Sequence, residues 1–431
     1  MQVSVESGEG LERRMTVGLE ADQVEGEVDR RLRELVRTAR LPGFRPGKVP
    51  VKVLRQRFGQ QVRGEVLGEL VQSTFAEAVG QKELRPAGAP SIDPDIDHAA
   101  RRYAYTATFE VLPEFALGSL EGKVLKRPVA QVQESDVDAL IERLRAQRKT
   151  FDEADRPAQE GDRVTMSFVG SIDGEPFEGG SAEHAQLELG SGRMIPGFEA
   201  GLIGARAGEE RSLQLSFPEE YHAEHLKGKP VTFAVTVEAV AAPRLPEVDE
   251  AFARELGIED GDLARFRADV RRNMERELKQ RVEARIKRQA MDLLLEANPI
   301  DLPQVLIAQE IRTLKAQMQE NLGGGRQLEL PDGLFEEEAR RRVALGLVIA
   351  EVVKANDIKV DPERVREVVE DMAATYENPQ EVVEYYYSRR EHLSSVETLT
   401  LENQVVDWVT AQVTVADEPH TFDELTKPAG E

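Results

Sequence analysis

The sequence predicts a multidomain α+β protein: an α+β segment, then an antiparallel β module around one short helix, then an all-α C-terminal region. Three observations predict it. The 431 residues correspond to about three domains at roughly 150 residues each. The hydrophobic period changes twice, once across residues 113–150 and again near residue 243. Charge divides at the same places. Residues 1–112 hold 17 basic and 17 acidic side chains, 113–150 hold 7 and 6, 151–243 hold 7 and 17, and 244–431 hold 25 and 40. The expected domains are therefore 1–112, a helix-bearing linker at 113–150, 151–243 and 244–431.

In the first segment, Val3–Glu6 and Leu11–Leu19 read as a hairpin, because the second run alternates and Gly8 and Gly10 supply the turn. Asp22 is the expected N-cap of a helix to about Arg40, with Val24, Val28, Leu32, Leu35 and Ala39 at helical spacing. Three Pro and two Gly in Leu41–Pro50 break it. A second helical region runs from Val51 to Gly80, and Tyr103–Val111 alternates as a strand. Residues 134–149 place Val137, Leu140, Ile141 and Leu144 on one helix face. From Arg163 to Val240 short alternating runs sit between turn residues, with one helix near Pro196–Leu202. Beyond Pro243 the chain is helical. A long helix over Asp262–Ala297 is stopped by Asn298-Pro299, and Leu322–Arg326 is a glycine loop. Asp361-Pro362 and Asn378-Pro379 pair a capping side chain with proline at the first helical position. The last helix carries Val406, Val409 and Val413 beside Trp408.

Composition excludes several classes of function. With no cysteine there is no disulfide, thiol nucleophile or Cys-ligated metal. Six scattered histidines leave no metal cluster to expect, and His222 and His225 read as surface-loop residues. No cofactor is expected. No basic stretch followed by an apolar run opens the chain, and Val343–Ala350 is far short of the ~20 residues a membrane span needs. The expectation is a cytoplasmic protein with no membrane partner.

The net charge of −24 argues against indiscriminate nucleic-acid binding, yet it hides a local excess of the opposite sign. Residues 30–63 carry eleven basic groups against Glu34 alone. Inside this window Phe44 sits in a Pro/Gly loop between Arg45 and Lys48. Arginine forks onto phosphate while an exposed aromatic packs on protein, so the loop suits a docking site that is part polyanion and part protein. The alternative is that Phe44 folds back and anchors its own loop.

Gly43–Pro50, GFRPGKVP, resembles the ribosome-docking motif of the trigger factor family of bacterial ribosome-associated chaperones. MQVSVE at the start, RPAGAP at Arg85–Pro90, FPEEYHAEHLKGK at Phe217–Lys229, NMEREL at Asn273–Leu278 and LFEEEARRRV at Leu334–Val343 extend the likeness end to end. The resemblance implies a ribosome-docking N-terminal domain with Gly43, Phe44, Arg45, Gly47 and Lys48 at its tip. It also implies a helical C-terminal chaperone domain with extended arms. The implied partners are the large ribosomal subunit at the polypeptide exit, both RNA and protein, and nascent or unfolded chains. Some homodimerisation off the ribosome is implied too, as is a link to cell division and the cell cycle. Pro46 departs from the pattern, since family members often carry a basic residue there.

The runs SFVGSIDGEPFEGG, LELGSGRMIPGFEAGLIGARAGEE and FPEEY are similar to FKBP-type peptidyl-prolyl cis-trans isomerases. That resemblance puts Phe168, Phe177, Met194, Ile195, Phe198, Tyr221 and Phe233 around a proline pocket, with Glu178 at its edge. Phe233, in a central strand, reads equally as ordinary core. Two competing readings are a free-standing isomerase, which the basic segment disfavours, and an RNA-binding factor with a degenerate isomerase module, which the intact pocket pattern disfavours. Leu314, Met318, Val348, Tyr376 and Tyr386 are apolar candidates for a client-binding surface or for core.

Overall fold

The computed structural model describes residues 2–42, 44, 47–97, 101–221, 223–321, 330–374, 376 and 378–427. Gly43, Arg45, Pro46, His222 and the glycine loop at 322–326 lie outside the described residues. Two compact units are formed, Met1–Pro128 with Glu283–Glu418, and Val129–Val282 with Pro419–Glu431.

The first unit begins with β1 (Gln2–Ser7) and β2 (Glu12–Leu19), paired antiparallel. Helices α1 (Ala21–Thr38) and α2 (Val51–Gln81) follow, then β3 (Ser91–Asp97) and β4 (Arg102–Glu110). The sheet order β1-β2-β4-β3 leaves β3 on an edge, where Pro94 costs no ladder hydrogen bond. Proline and three aspartates hid this strand from pattern reading. Tyr103, Tyr105, Ala107 and Phe109 alternate inward along β4, and Thr74 of α2 meets the Tyr105 hydroxyl at 3.0 Å. The expected Asp22 cap is not there. The helix starts at Ala21 after Glu20, and Asp22 lies in its first turn, where a negative charge still favours the helix dipole.

Val28 and Leu32 of α1 pack with Leu54, Val62 and Val66 of α2. Leu41 and Val49 join the same core from the two ends of the connecting loop. The loop is thus pinned at its base while Phe44 stays 40% exposed. Phe44 is not a member of that core.

Strand β5 (Val124–Val129) leads into the second unit. There α3 (Glu134–Gln147) precedes β6 (Thr150–Glu153), β7 (Arg163–Ile172), β8 (Glu175–Glu188), α4 (Phe198–Leu202), β9 (Glu210–Ser216) and β10 (Pro230–Arg244). The sheet order is β6-β10-β7-β8, with β9 also on β10. Val231, Phe233, Val235 and Val237 alternate inward from β10, and α4 covers them with Phe198 and Leu202. Next come α5 (Glu250–Glu255) and the long α6 (Leu263–Ala297), which passes from the second unit into the first at residue 283. Its Phe266, Val270, Met274 and Leu278 are buried with Val137 and Ile141 of α3.

Back in the first unit are α7 (Gln304–Asn321), α8 (Glu336–Ala355), α9 (Pro362–Ala373), α10 (Pro379–Ser388) and α11 (Arg390–Gln412). The Asp361 carboxylate accepts from the Glu363 amide at 2.9 Å and caps α9 as expected. Asn378 makes no such bond, so proline alone starts α10. Val413 is the residue after α11 rather than part of it. Strand β11 (Thr414–Pro419) then pairs with β5, adding a two-stranded sheet to the helical region. Helix α12 (Phe422–Thr426) returns Phe422 and Leu425 to the core formed by α3, α5 and α6.

Of the client-surface candidates, Leu314 and Val348 are buried and Tyr386 packs against the α9–α11 core, whereas Met318 and Tyr376 are exposed. Among the described residues no helix is long and apolar enough to cross a membrane.

Candidate functional site

Two places hold the residues singled out above. The first is the β module. Strand alternation sends Phe168 from β7 and Phe233 from β10 to the same face, and α4 lays Phe198 across both. The Phe198 ring lies 5.2 Å from Phe233 and 5.7 Å from Phe168, each edge to face, and Phe168 is 5.8 Å from Phe233. Phe177 enters from β8, 6.4 Å from Phe233 and 5.8 Å from Phe217, and Phe217 stacks obliquely on Tyr221 at 4.8 Å. Edge-to-face geometry is the arrangement that ring quadrupoles favour.

Seven of the eight residues expected here therefore share one cluster. Phe198 and Phe233 are buried at its centre. Phe168, Phe177, Met194, Ile195 and Tyr221 are half-buried and pack against it. Phe233 is buried in this cluster, as the core reading has it. Glu178 is different: it is exposed beside Phe177 and makes no ion pair with the described residues.

Two glycines make the cluster possible. Gly197 has φ +90, the left-handed region where side chains are strained, and this turn drops Phe198 straight into the core. A Cβ at Gly170 would lie 2.7 Å from both the Phe177 and Phe233 rings, so only glycine lets those rings meet over β7.

Sequence reading missed Phe217 and Glu199. Phe217 is buried and bridges Phe177 to Tyr221, and its place at the head of FPEEY was the available signal. Glu199, in the first turn of α4, reaches back over the Gly190–Met194 loop. Its carboxylate accepts from the amides of Gly190 (2.8 Å), Arg193 (3.0 Å), Gly192 (3.2 Å) and Met194 (3.3 Å), and from the Ser191 hydroxyl (3.2 Å). Partial burial pushes its pKa up, but the amides of Gly192, Gly190 and Met194 outweigh this and hold it below the usual carboxylate range. The loop carrying Met194 and Ile195 is thus closed around one anion.

Glu199→Ala should lower turnover by about tenfold, because the loop amides lose their common acceptor. The same bonds set a pH dependence. Stability from a depressed carboxylate is complete above its unfolded value and is lost as pH falls through its folded one. Fast amide exchange at Gly192 and Arg193 in the variant at neutral pH checks the anchoring, and unchanged exchange would refute it.

The second place is the loop between α1 and α2. Its basic excess is smaller than the residue count implied. Arg30 pairs with Glu27 and Glu34, Arg31 with Glu69, Arg55 with Asp29 and Arg63 with Glu25. Glu25, Glu27, Asp29 and Glu69 lie just outside the 30–63 window, and helix geometry brings them in. Arg33, Arg37, Arg40, Lys48, Lys52 and Arg57 make no ion pair with the described residues. Four of these six, Arg37, Arg40, Lys48 and Lys52, lie in or within a few residues of the loop that carries Phe44.

Known protein families match the chain along most of its length. Residues 1–144 match the family described as bacterial trigger factor protein, 262–411 match its C-terminus, and 154–238 match FKBP-type peptidyl-prolyl cis-trans isomerase. A trigger factor from Stutzerimonas stutzeri is 48% identical over 430 residues, covering 100% of this chain and 99% of its own. The chain belongs to the bacterial trigger factor family. A second trigger factor, from Pseudomonas paraeruginosa, is 49% identical with the same coverage. A solved trigger factor chaperone studied for promiscuous substrate recognition aligns over 95% of this chain and 99% of its own, at 18% identity and TM-score 0.49. As a member of the trigger factor family the chain is a folding chaperone, and its β module is an FKBP-type prolyl isomerase domain.

The ring cluster fits that chemistry. Rotation about a peptide bond faces a barrier of about 18–20 kcal/mol because twisting destroys amide resonance. X–Pro bonds exchange over tens to hundreds of seconds, slowly enough to limit folding. A water-poor aromatic surrounding favours the twisted, less polar amide over the planar one. Each ~1.4 kcal/mol of such preference accelerates exchange tenfold.

Proposed function

We propose that the chain is a cytoplasmic, ribosome-associated chaperone that meets nascent polypeptides at the exit of the large subunit and isomerises their X–Pro bonds. Its working parts are residues 1–112 for docking, 113–150 as linker, 151–243 for isomerisation and 244–431 for holding clients. Gly43, Phe44, Arg45, Gly47 and Lys48 form the docking tip. The observation that supports this best is an exposed Phe44 on a loop pinned by buried Leu41 and Val49, with Arg37, Arg40, Lys48 and Lys52 near it in sequence and in no ion pair with the described residues. The apolar tip suits ribosomal protein and the cations suit ribosomal RNA.

Phe168, Phe177, Met194, Ile195, Phe198, Tyr221 and Phe233 hold the prolyl ring, with Phe217 supporting Phe177 and Tyr221. Glu178 lies at the edge and moves no proton. Free chains form homodimers off the ribosome in this reading. Exposed Met318 and Tyr376 belong to the client surface, and the acidic balance of 244–431 favours basic clients.

The division of labour is testable by excision. Thr150 and Arg244 face each other in the β6–β10 pair, so removing residues 151–243 joins neighbours. Suppression of aggregation of a refolding client should survive at near the parent level, while isomerase activity disappears. Loss of all holding activity would move the client surface into the isomerase domain.

A further inference from the structure

Strand β7 is flanked by two bulges, one opposite Ser167 on the β8 side and one between Met166 and Thr165 on the β10 side. On the β8 side the register steps from Met166↔Ala185 to Phe168↔Ala182, so Glu183 and His184 together oppose Ser167. On the β10 side it steps from Val237↔Met166 to Ala239↔Thr165, leaving Glu238 as the extra residue. The side chains of the two extra residues close over Ser167. The Ser167 hydroxyl donates to Glu238 Oε1 at 2.5 Å, His184 Nδ1 lies 2.6 Å from Glu238 Oε2, and the His184 amide donates to Ser167 Oγ at 3.2 Å. His184 takes φ +53, a left-handed conformation strained for a side-chain-bearing residue and sustained only where the surroundings hold it. The next residue along β7 is Phe168, which touches Phe198 and Phe233. Bulges bend a strand and re-aim its side chains.

We propose that Ser167, His184 and Glu238 form a pH-responsive clasp that sets the bend of β7 and thereby positions Phe168 in the isomerase pocket. His184 and Glu238 are positioning residues and touch no substrate. The inference rests on the reading of Phe168 as a pocket residue. The charged groups around the imidazole are Glu238 from β10 and Glu183 from its own strand. Strand β7 offers the Ser167 hydroxyl, and its one cation, Arg163, lies over the Phe151 ring.

The hydrogen bond to Glu238, then that carboxylate's charge, raises the His184 pKa above its ordinary value. The Ser167 hydrogen bond, then that of His184, lowers that of Glu238. The signs follow. The histidine contribution is complete below the unfolded value of about 6.5 and is lost as pH rises through the raised folded value. The glutamate contribution is complete above its unfolded value and is lost only as pH falls through the lowered one. The clasp is therefore tightest between the two unfolded values and slackens on the alkaline side.

The test is kcat/KM of the full chain on a short proline peptide from about pH 5.5 to about pH 9, alongside NMR titration of His184 and of the Phe168 amide. Expected is an alkaline fall of about two- to fivefold, the scale of one exposed charge pair, with the same midpoint in activity, His184 and Phe168. His184→Asn tolerates the left-handed backbone and should give a flat profile at the low level. His184→Lys keeps the charge throughout and should give a flat profile at the high level. Glu238→Gln, which leaves the bulge residue in place, should also be flat. A wild-type profile without the alkaline step, or His184→Asn retaining it, overturns the proposal. So does a Phe168 shift that titrates while turnover stays constant, and in that case the pocket reading stands. Failure of the pocket itself would appear separately, as full activity in a folded Phe198 variant.

Discussion

Phe198→Ala lowers kcat/KM for a proline tetrapeptide by about a hundredfold or more, the largest single-residue effect expected in the isomerase domain. Phe198 is fully buried and sits edge-on to both Phe168 and Phe233, so its truncation removes the centre of the ring cluster. The change also opens a cavity, and burying nothing in place of a phenyl ring costs about 3–5 kcal/mol of stability. That is a large part of the ~5–15 kcal/mol holding a typical domain, so a thermal melt must accompany the rate. Phe198→Leu separates the two effects. It retains most of the apolar volume and costs under about 2 kcal/mol, yet it has no ring edge to offer its neighbours. Activity should drop about tenfold with the domain folded. An unimpaired rate in folded Phe198→Ala would mean that proline is bound elsewhere.

Replacing Phe44, Arg45 and Lys48 together by Ala abolishes co-sedimentation with ribosomes and leaves isomerase activity untouched. Phe44 supplies the apolar contact at the tip, and Lys48 belongs to the group of cations without acidic partners. Contacts to phosphate release counterions, so the parent's binding should weaken steeply with salt, and losing two cations should reduce that slope by roughly two. Arg31→Ala provides the contrast. Arg31 is engaged with Glu69 and lies away from the tip, so its loss should change ribosome binding little. Retained pelleting of the triple variant would remove the loop from the docking site. An equal loss in Arg31→Ala would mean that the whole basic face, rather than the tip, makes the contact.

Much of the fold was legible because local patterns agreed with tertiary burial. The inward alternation of β4 and β10, the apolar stripe of α1 and the proline starts of α9 and α10 all appear in the structure as read. The misses have specific causes. β3 is an edge strand whose Pro94 and aspartates carry no strand signal, and it is a strand only because β4 offers it a partner. The Asp22 cap failed because Glu20 already occupies the capping position. Glu199 escaped notice because its role lies in five bonds to a loop before it in sequence, which no residue pattern encodes.

The site divides in the same way. Sequence alone sufficed for family membership and for the presence of an isomerase module, because these rest on residue identity, and seven of the eight residues it named share one cluster. It also marked the Pro/Gly loop that carries Phe44 between basic residues. What only tertiary structure decided was interaction between residues distant in sequence. The +10 excess across residues 30–63 shrank once Glu25, Glu27, Asp29 and Glu69 were brought against its arginines. Phe44 is exposed because Leu41 and Val49 are buried, and Met318 and Tyr376 are exposed where Leu314 and Val348 are not. The physical reason is common to all of these. A side chain's type is written in the sequence, but its charge balance and solvent exposure depend on which neighbours folding brings within a few ångströms.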